Sequence, residues 1–140
     1  MDYNSRVDVF LTSEARSDLE TLRILRPVPG TWGLLFGHER GFRVFVEKAF
    51  PAGRSGFPTN ERVMELDRLW NGRVVGFFAL RPAASFRKRL LGPDFFGKLY
   101  LEIGISGSRT RLKAYAVEHK RGFILSVLPL ESGPKERNRD

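Results

Sequence analysis

The chain has 140 residues, 41% of them hydrophobic, a formal charge of +8 and no cysteine. That is enough for one domain with a real core, and it excludes disulfides, thiolate nucleophiles and cysteine-held zinc, leaving His38 and His119 as the whole supply of imidazole. No apolar run reaches the ~20 residues that cross a bilayer, and "MDYNSRVDVF" is no export signal, so no membrane partner and a cytoplasmic location are expected.

"VDVFL" (7–11) alternates and reads as a strand. "TSEARSDLETLRILR" reads as a helix capped by Thr12 or Ser13, with Leu19, Leu22 and Leu25 on one face, stopping before Pro27 and Pro29. "TWGLLFG" (31–37) and "FRVFVEKAF" (42–50) are strands, joined through a four-residue turn, "HERG", with Gly41 at a positive φ. "TNERVMELDRLW" (59–70) is a second helix with Val63, Leu66, Leu69 and Trp70 on one face, ended by Asn71-Gly72. "RVVGFFAL" (73–80) is mostly apolar, as in a central strand covered on both sides. "AASFRKRLL" (83–91) reads as a short helix capped by Ser85. Residues 98–105, 109–119 and 122–130 read as a three-stranded meander. Its second turn, "HKRG", again calls for a left-handed glycine. The expectation is one α/β domain over 1–130, with a mixed, mostly antiparallel sheet and two main helices, followed by a disordered polar tail over 131–140.

The charge is unevenly placed. Residues 1–72 and 122–140 each balance, whereas 73–121 hold eleven basic and three acidic residues. Such a field favours anionic partners. Its sharpest part is "SFRKRLLG", where Arg87, Lys88 and Arg89 lie near Arg81 in sequence, with Lys98, Arg109, Arg111 and Lys113 on the following strands. Phe86, Phe95, Phe96 and Tyr100 interleave, a pattern compatible with single-stranded nucleic acid if they are exposed and with core if they are buried. The paired acids Glu61/Glu65 and Glu65/Asp67 read as a solvated helix face, and the two histidines as solvated turn residues. No glycine pattern fits a phosphate-binding loop.

Three stretches, "GTWGLLFGHERGFRVFVEKAFPA" (30–52), "ERVMELDRLW" and "VVGFFALRPAAS" (74–85), resemble in order the MPN domain of the JAMM metalloprotease family. The resemblance implies an MPN/JAMM-like fold with cytidine deaminase-like layering. In that family two histidines and an aspartate hold zinc, a glutamate takes a proton from the bound water, and a serine helps to hold the oxyanion. Here Gly30 stands at the glutamate position, and Ala79 and Arg81 at the histidine positions. If Ser85 matches the serine, the aspartate position is Lys88; with strict spacing the two positions are Arg89 and Gly92, and Asp94 aligns only across a gap. Alanine cannot ligate a metal, and a guanidinium repels one.

The resemblance therefore implies a degenerate, metal-free member without catalysis or cofactor. Metal-free members pair with other such domains or with partner chains, so the expected partner is a protein, a second copy included. Arg81, Arg87, Lys88 and Arg89 are expected to form one positive surface beside the former zinc position, open to an anionic group. A basic nucleic-acid-binding module is the alternative.

Overall fold

A computed structural model of the protein describes residues 8–25, 30–53, 60–69, 73–80, 84–106 and 109–131. Eight strands form one sheet: β1 (Asp8–Leu11), β2 (Trp32–Arg40), β3 (Arg43–Gly53), β4 (Val74–Leu80), β5 (Leu99–Ser106), β6 (Arg109–His119), β7 (Phe123–Leu128) and the two-residue β8 (Leu130–Glu131). Their spatial order is β7-β6-β5-β4-β2-β3-β1-β8. The pairs β1–β3, β1–β8 and β4–β5 are parallel and the other four antiparallel, so the sheet is mixed and mostly antiparallel. The helices are α1 (Ser13–Leu25), α2 (Asn60–Leu69) and the short α3 (Ala84–Leu90), with a 3-10 turn at Pro93–Phe95. Among the described residues no helix is long and apolar enough to cross a membrane.

The single strand expected over 122–130 is two strands, at opposite ends of the sheet order, with Pro129 alone between them in sequence. Proline has no N–H for a ladder, so pairing breaks there. Its carbonyl accepts a hydrogen bond from Val9 N–H at 3.3 Å. One short segment thus belongs to both edges, and the sheet must curl until they meet.

The curl makes an inner and an outer face. Ala15, Leu19 and Leu22 of α1 pack on the inner face with Val9, Leu11, Val46, Phe78, Leu101 and Ile103. Trp32, Phe36, Phe77, Ala79, Tyr100, Tyr115 and Val117 form a second core on the outer face, covered by Leu90 of α3 and by Phe95. Strand β4 lies between β2 and β5, and all seven of its residues are buried, as its unbroken apolar run requires. Thr12 is the α1 cap: its hydroxyl accepts from Ala15 N–H at 3.1 Å and donates to the Glu47 carbonyl at 3.2 Å.

The turns depart from expectation. β2 runs through His38 to Arg40, which pairs with Arg43, so the turn is Gly41-Phe42 and not the four residues of "HERG". Gly41 has φ 62°, as a tight hairpin needs. In the second turn His119 pairs with Phe123 around a three-residue loop, and Gly122 is not in the left-handed region. On α2, Leu69 is exposed, contrary to its place on the expected apolar face; the side chains of Val63 and Leu66, and all of Trp70, lie outside the described residues. Of the tail expected over 131–140, Glu131 is in β8 and the rest lies outside the described residues.

Candidate functional site

Of the positions singled out by the resemblance, Gly30 and Ala79 lie at the end of β4. Gly30 N–H donates to the Leu80 carbonyl, and Leu80 N–H donates to the Thr31 carbonyl, each at 2.8 Å. Ala79 pairs with Trp32 on one side and Glu102 on the other, and its methyl is sealed in the outer core. Lys88 and Arg89 are exposed on α3. Arg81 and the Ser85 side chain lie outside the described residues, as does the expected Ser85 cap.

Arg87 is committed to Glu102. Its Nε and one terminal nitrogen donate to the two carboxylate oxygens at 2.5 and 2.6 Å. Its guanidinium also lies 5.3 Å from the centre of the Tyr115 ring. The Tyr100 hydroxyl donates to the same carboxylate at 2.9 Å, and the two tyrosine rings stack 5.9 Å apart. Burial alone would raise the Glu102 carboxyl's pKa; the hydrogen bonds from Arg87 and Tyr100 outweigh it and hold the group below the usual carboxylate range. Burial, and then the Glu102 charge, raise the Tyr100 phenol well above its ordinary value. This bidentate pair ties α3 to the sheet.

Beyond it the outer face turns basic. β6 alternates, with Arg109, Arg111 and Lys113 exposed on the face opposite Leu112, which packs into the inner core. Their β5 partners are Ser106, Gly104 and Glu102. Glu102 is thus the acidic partner in this row and already carries Arg87, whereas Arg109, Arg111 and Lys113 form no ion pair among the described residues. Of the interleaved aromatics, Phe95 and Tyr100 are buried, Phe96 is exposed at the opposite end of β5, and the Phe86 side chain is not described.

A second region escapes sequence reasoning. Phe36 pairs with Lys48 and the next residue, Gly37, with Val46, so Glu47 is an extra residue in β3. This β-bulge points Glu47 and Lys48 outward in succession. Gly37 permits it: a Cβ there would lie 1.8 Å from the Phe45 carbonyl oxygen. An open cleft of about 760 Å³ follows, with Phe36, Ala49 and Phe50 as its apolar lining and Thr12, Glu14, Asp18 and Arg73 among its polar groups. Both of its cations are paired, and its three acids leave one negative charge over. Glu14 holds Lys48, Glu47 takes Arg73 on one oxygen and His38 Nδ1 at 3.2 Å on the other, and Asp18 accepts from Ala49 N–H at 3.0 Å. The sequence signal for the bulge is slight: "VEK" interrupts the alternation of "FRVFVEKAF".

His38, expected in a turn, is a strand residue stacked 5.0 Å from Phe45. His119 ends β6 with Phe123 edge-on at 4.7 Å. Glu65 on α2 pairs with Arg62 at 3.0 Å. Among the described residues no three His, Asp or Glu side chains are grouped to hold a metal ion.

No protein-family model and no curated protein matches the chain. Its fold is similar to the solution structure of protein DSY2949 from Desulfitobacterium hafniense, with a TM-score of 0.62 at 19% identity over 94% of this chain and 99% of that one. At that identity the likeness shows the fold alone.

Proposed function

We propose that the chain is a non-catalytic, MPN-like binding domain of the cytoplasm that takes an acidic segment of a protein partner on its basic outer face. The observation that carries this reading is the row of Arg109, Arg111 and Lys113, exposed along one strand beside a carboxylate that Arg87 already occupies. Lys88 adds charge from α3. The loss of catalysis rests on Gly30, Ala79 and Arg81 at the positions where the resembled family has its glutamate and histidines. Self-association is a second form of the same reading, with an acidic segment of another copy as the guest.

The test is a titration of the full chain with soluble polyglutamate. Binding is expected, and Arg109→Glu with Arg111→Glu should abolish it. Lys120→Glu, one residue past the far end of β6, reverses a single charge and should leave it near wild type. No binding, or equal loss in all variants, overturns the reading. One zinc per chain by elemental analysis, after purification in zinc, would overturn the metal-free part. The nucleic-acid alternative is supported by the charge excess of 73–121. It predicts tighter binding to a single-stranded oligonucleotide than to polyglutamate, with a steeper salt dependence.

A further inference from the structure

We infer that the guest lies along β6 as an extended strand carrying a carboxylate at every second residue. This rests on the reading above and adds a conformation and a sequence pattern to it. Arg109, Arg111 and Lys113 occupy alternate positions of one strand, so their side chains leave the same face. Alternate residues of a strand are spaced roughly 7 Å apart. Acidic residues two apart on a second extended chain repeat at the same interval. A helix places acids four residues apart about 6 Å apart along its axis, so three of them fall about 2 Å short of the row's span of about 14 Å.

The floor beside the row is open. Gly104 pairs with Arg111, and a Cβ added there would meet nothing nearer than the Arg111 Cβ at 3.9 Å. A guest backbone can therefore lie over β5 with its carboxylates turned toward β6. Glu102 fixes one end of this track. Its carboxylate repels a guest acid, and it stands opposite Lys113 in the ladder. The two arginines past that end can each bind a carboxylate through two parallel hydrogen bonds, a geometry lysine does not offer.

The same row is poorly made for single-stranded nucleic acid, which needs aromatic faces for its bases. Tyr100 and Tyr115 are buried, and the ring of Tyr115 lies beneath Arg87. Exposed Phe96 precedes β5, at the opposite end from Gly104 and Ser106.

The experiment is fluorescence anisotropy on the full chain with three labelled probes. One is a peptide of about nine residues with glutamate at every second position, long enough at the strand rise to span the row. The second has the same composition with its glutamates contiguous, and the third is a single-stranded oligonucleotide of equal charge. The alternating peptide is expected to bind about tenfold more tightly than the contiguous one, one matched charge-assisted contact being enough for that ratio. Arg111→Gln should erase the difference between the two peptides, with circular dichroism confirming an unchanged fold. Equal binding of both peptides overturns the inference and leaves the acidic-segment reading standing. Binding of neither overturns both. Tighter binding of the oligonucleotide replaces the inference with a nucleic-acid surface.

Discussion

The cleft beside α1 and the outer face of β5–β6 carry similar numbers of charged side chains and treat them in opposite ways. In the cleft, Lys48 has Glu14, and Arg73 has Glu47, which His38 shares. On β5–β6 one carboxylate, Glu102, is taken by Arg87 and neighboured by Lys113, and Arg109 and Arg111 are left over. Paired cations with one acid to spare gain little from an acidic guest. An unmatched set of one sign attracts one. The two regions also differ in what builds them: the cleft depends on a backbone irregularity, the basic face on regular alternation.

The strongest way to break the comparison is to remove the bulge. Gly37→Ala places a methyl 1.8 Å from the Phe45 carbonyl oxygen, and a backbone atom cannot step aside as a side chain can. β2 and β3 must shift, at a cost of about 3 kcal/mol or more, the upper part of the range for overpacking. Chemical denaturation would measure it. The cleft pairs should be lost with the register, while the polyglutamate affinity of the still-folded fraction stays near wild type. A loss below about 1 kcal/mol, ordinary for a point substitution, would mean that the bulge is not tightly fixed.

The second is Glu102→Ala. Tyr100 is fully buried, and its hydroxyl would lose the carboxylate it donates to. Loss of that acceptor and of the tie to Arg87 together cost about 2 kcal/mol, discounted because Arg87 is 46% exposed. Tyr100→Phe in the same background should recover part of it. Failure of the double variant to recover would show that the hydroxyl is satisfied in another way.

These two sites were unequally readable from sequence. The alternation of β6, the apolar run of β4 and the α1 face are written in consecutive residues, and their elements followed. Gly41 announced its turn for the same reason, since its φ is a local matter. The bulge at Glu47 and the curl that carries 123–131 to both sheet edges depend on partners far along the chain. Arg87 looked like one of four equivalent cations because nothing in "SFRKRLLG" shows that Glu102, fifteen residues on, lies beneath it. Pro129 was the local sign that the last strand divides, and its meaning rests on Val9 lying within reach.

Acid sharpens the contrast. The Glu102 carboxyl is held below its ordinary range in the folded chain. A lowered folded-state pKa stabilises fully above the unfolded glutamate value, and the contribution is lost as pH falls through the folded value. Stability should therefore fall as pH drops below the usual glutamate range, and Glu102→Gln should flatten that part of the profile. An unchanged slope in the variant would assign the acid sensitivity to other carboxylates.

The smallest effect separates two arginines of one face. Arg87→Gln loses both bonds to Glu102 and the contact over Tyr115, and should lower stability by about 1 kcal/mol, the usual size for a partly exposed bidentate pair. Arg111→Gln removes a side chain that no carboxylate meets, so stability should move by no more than about 0.5 kcal/mol, the range of an ordinary surface change. The order should reverse when acidic peptide is the readout. Arg111→Gln then loses a contact to the guest, while Arg87→Gln frees the Glu102 carboxylate to repel it more strongly but leaves all three β6 cations in place. A folded-state loss with Arg111→Gln equal to that with Arg87→Gln would mean that Arg111 has an internal role, and the distinction between a committed and a vacant cation on this face would fail.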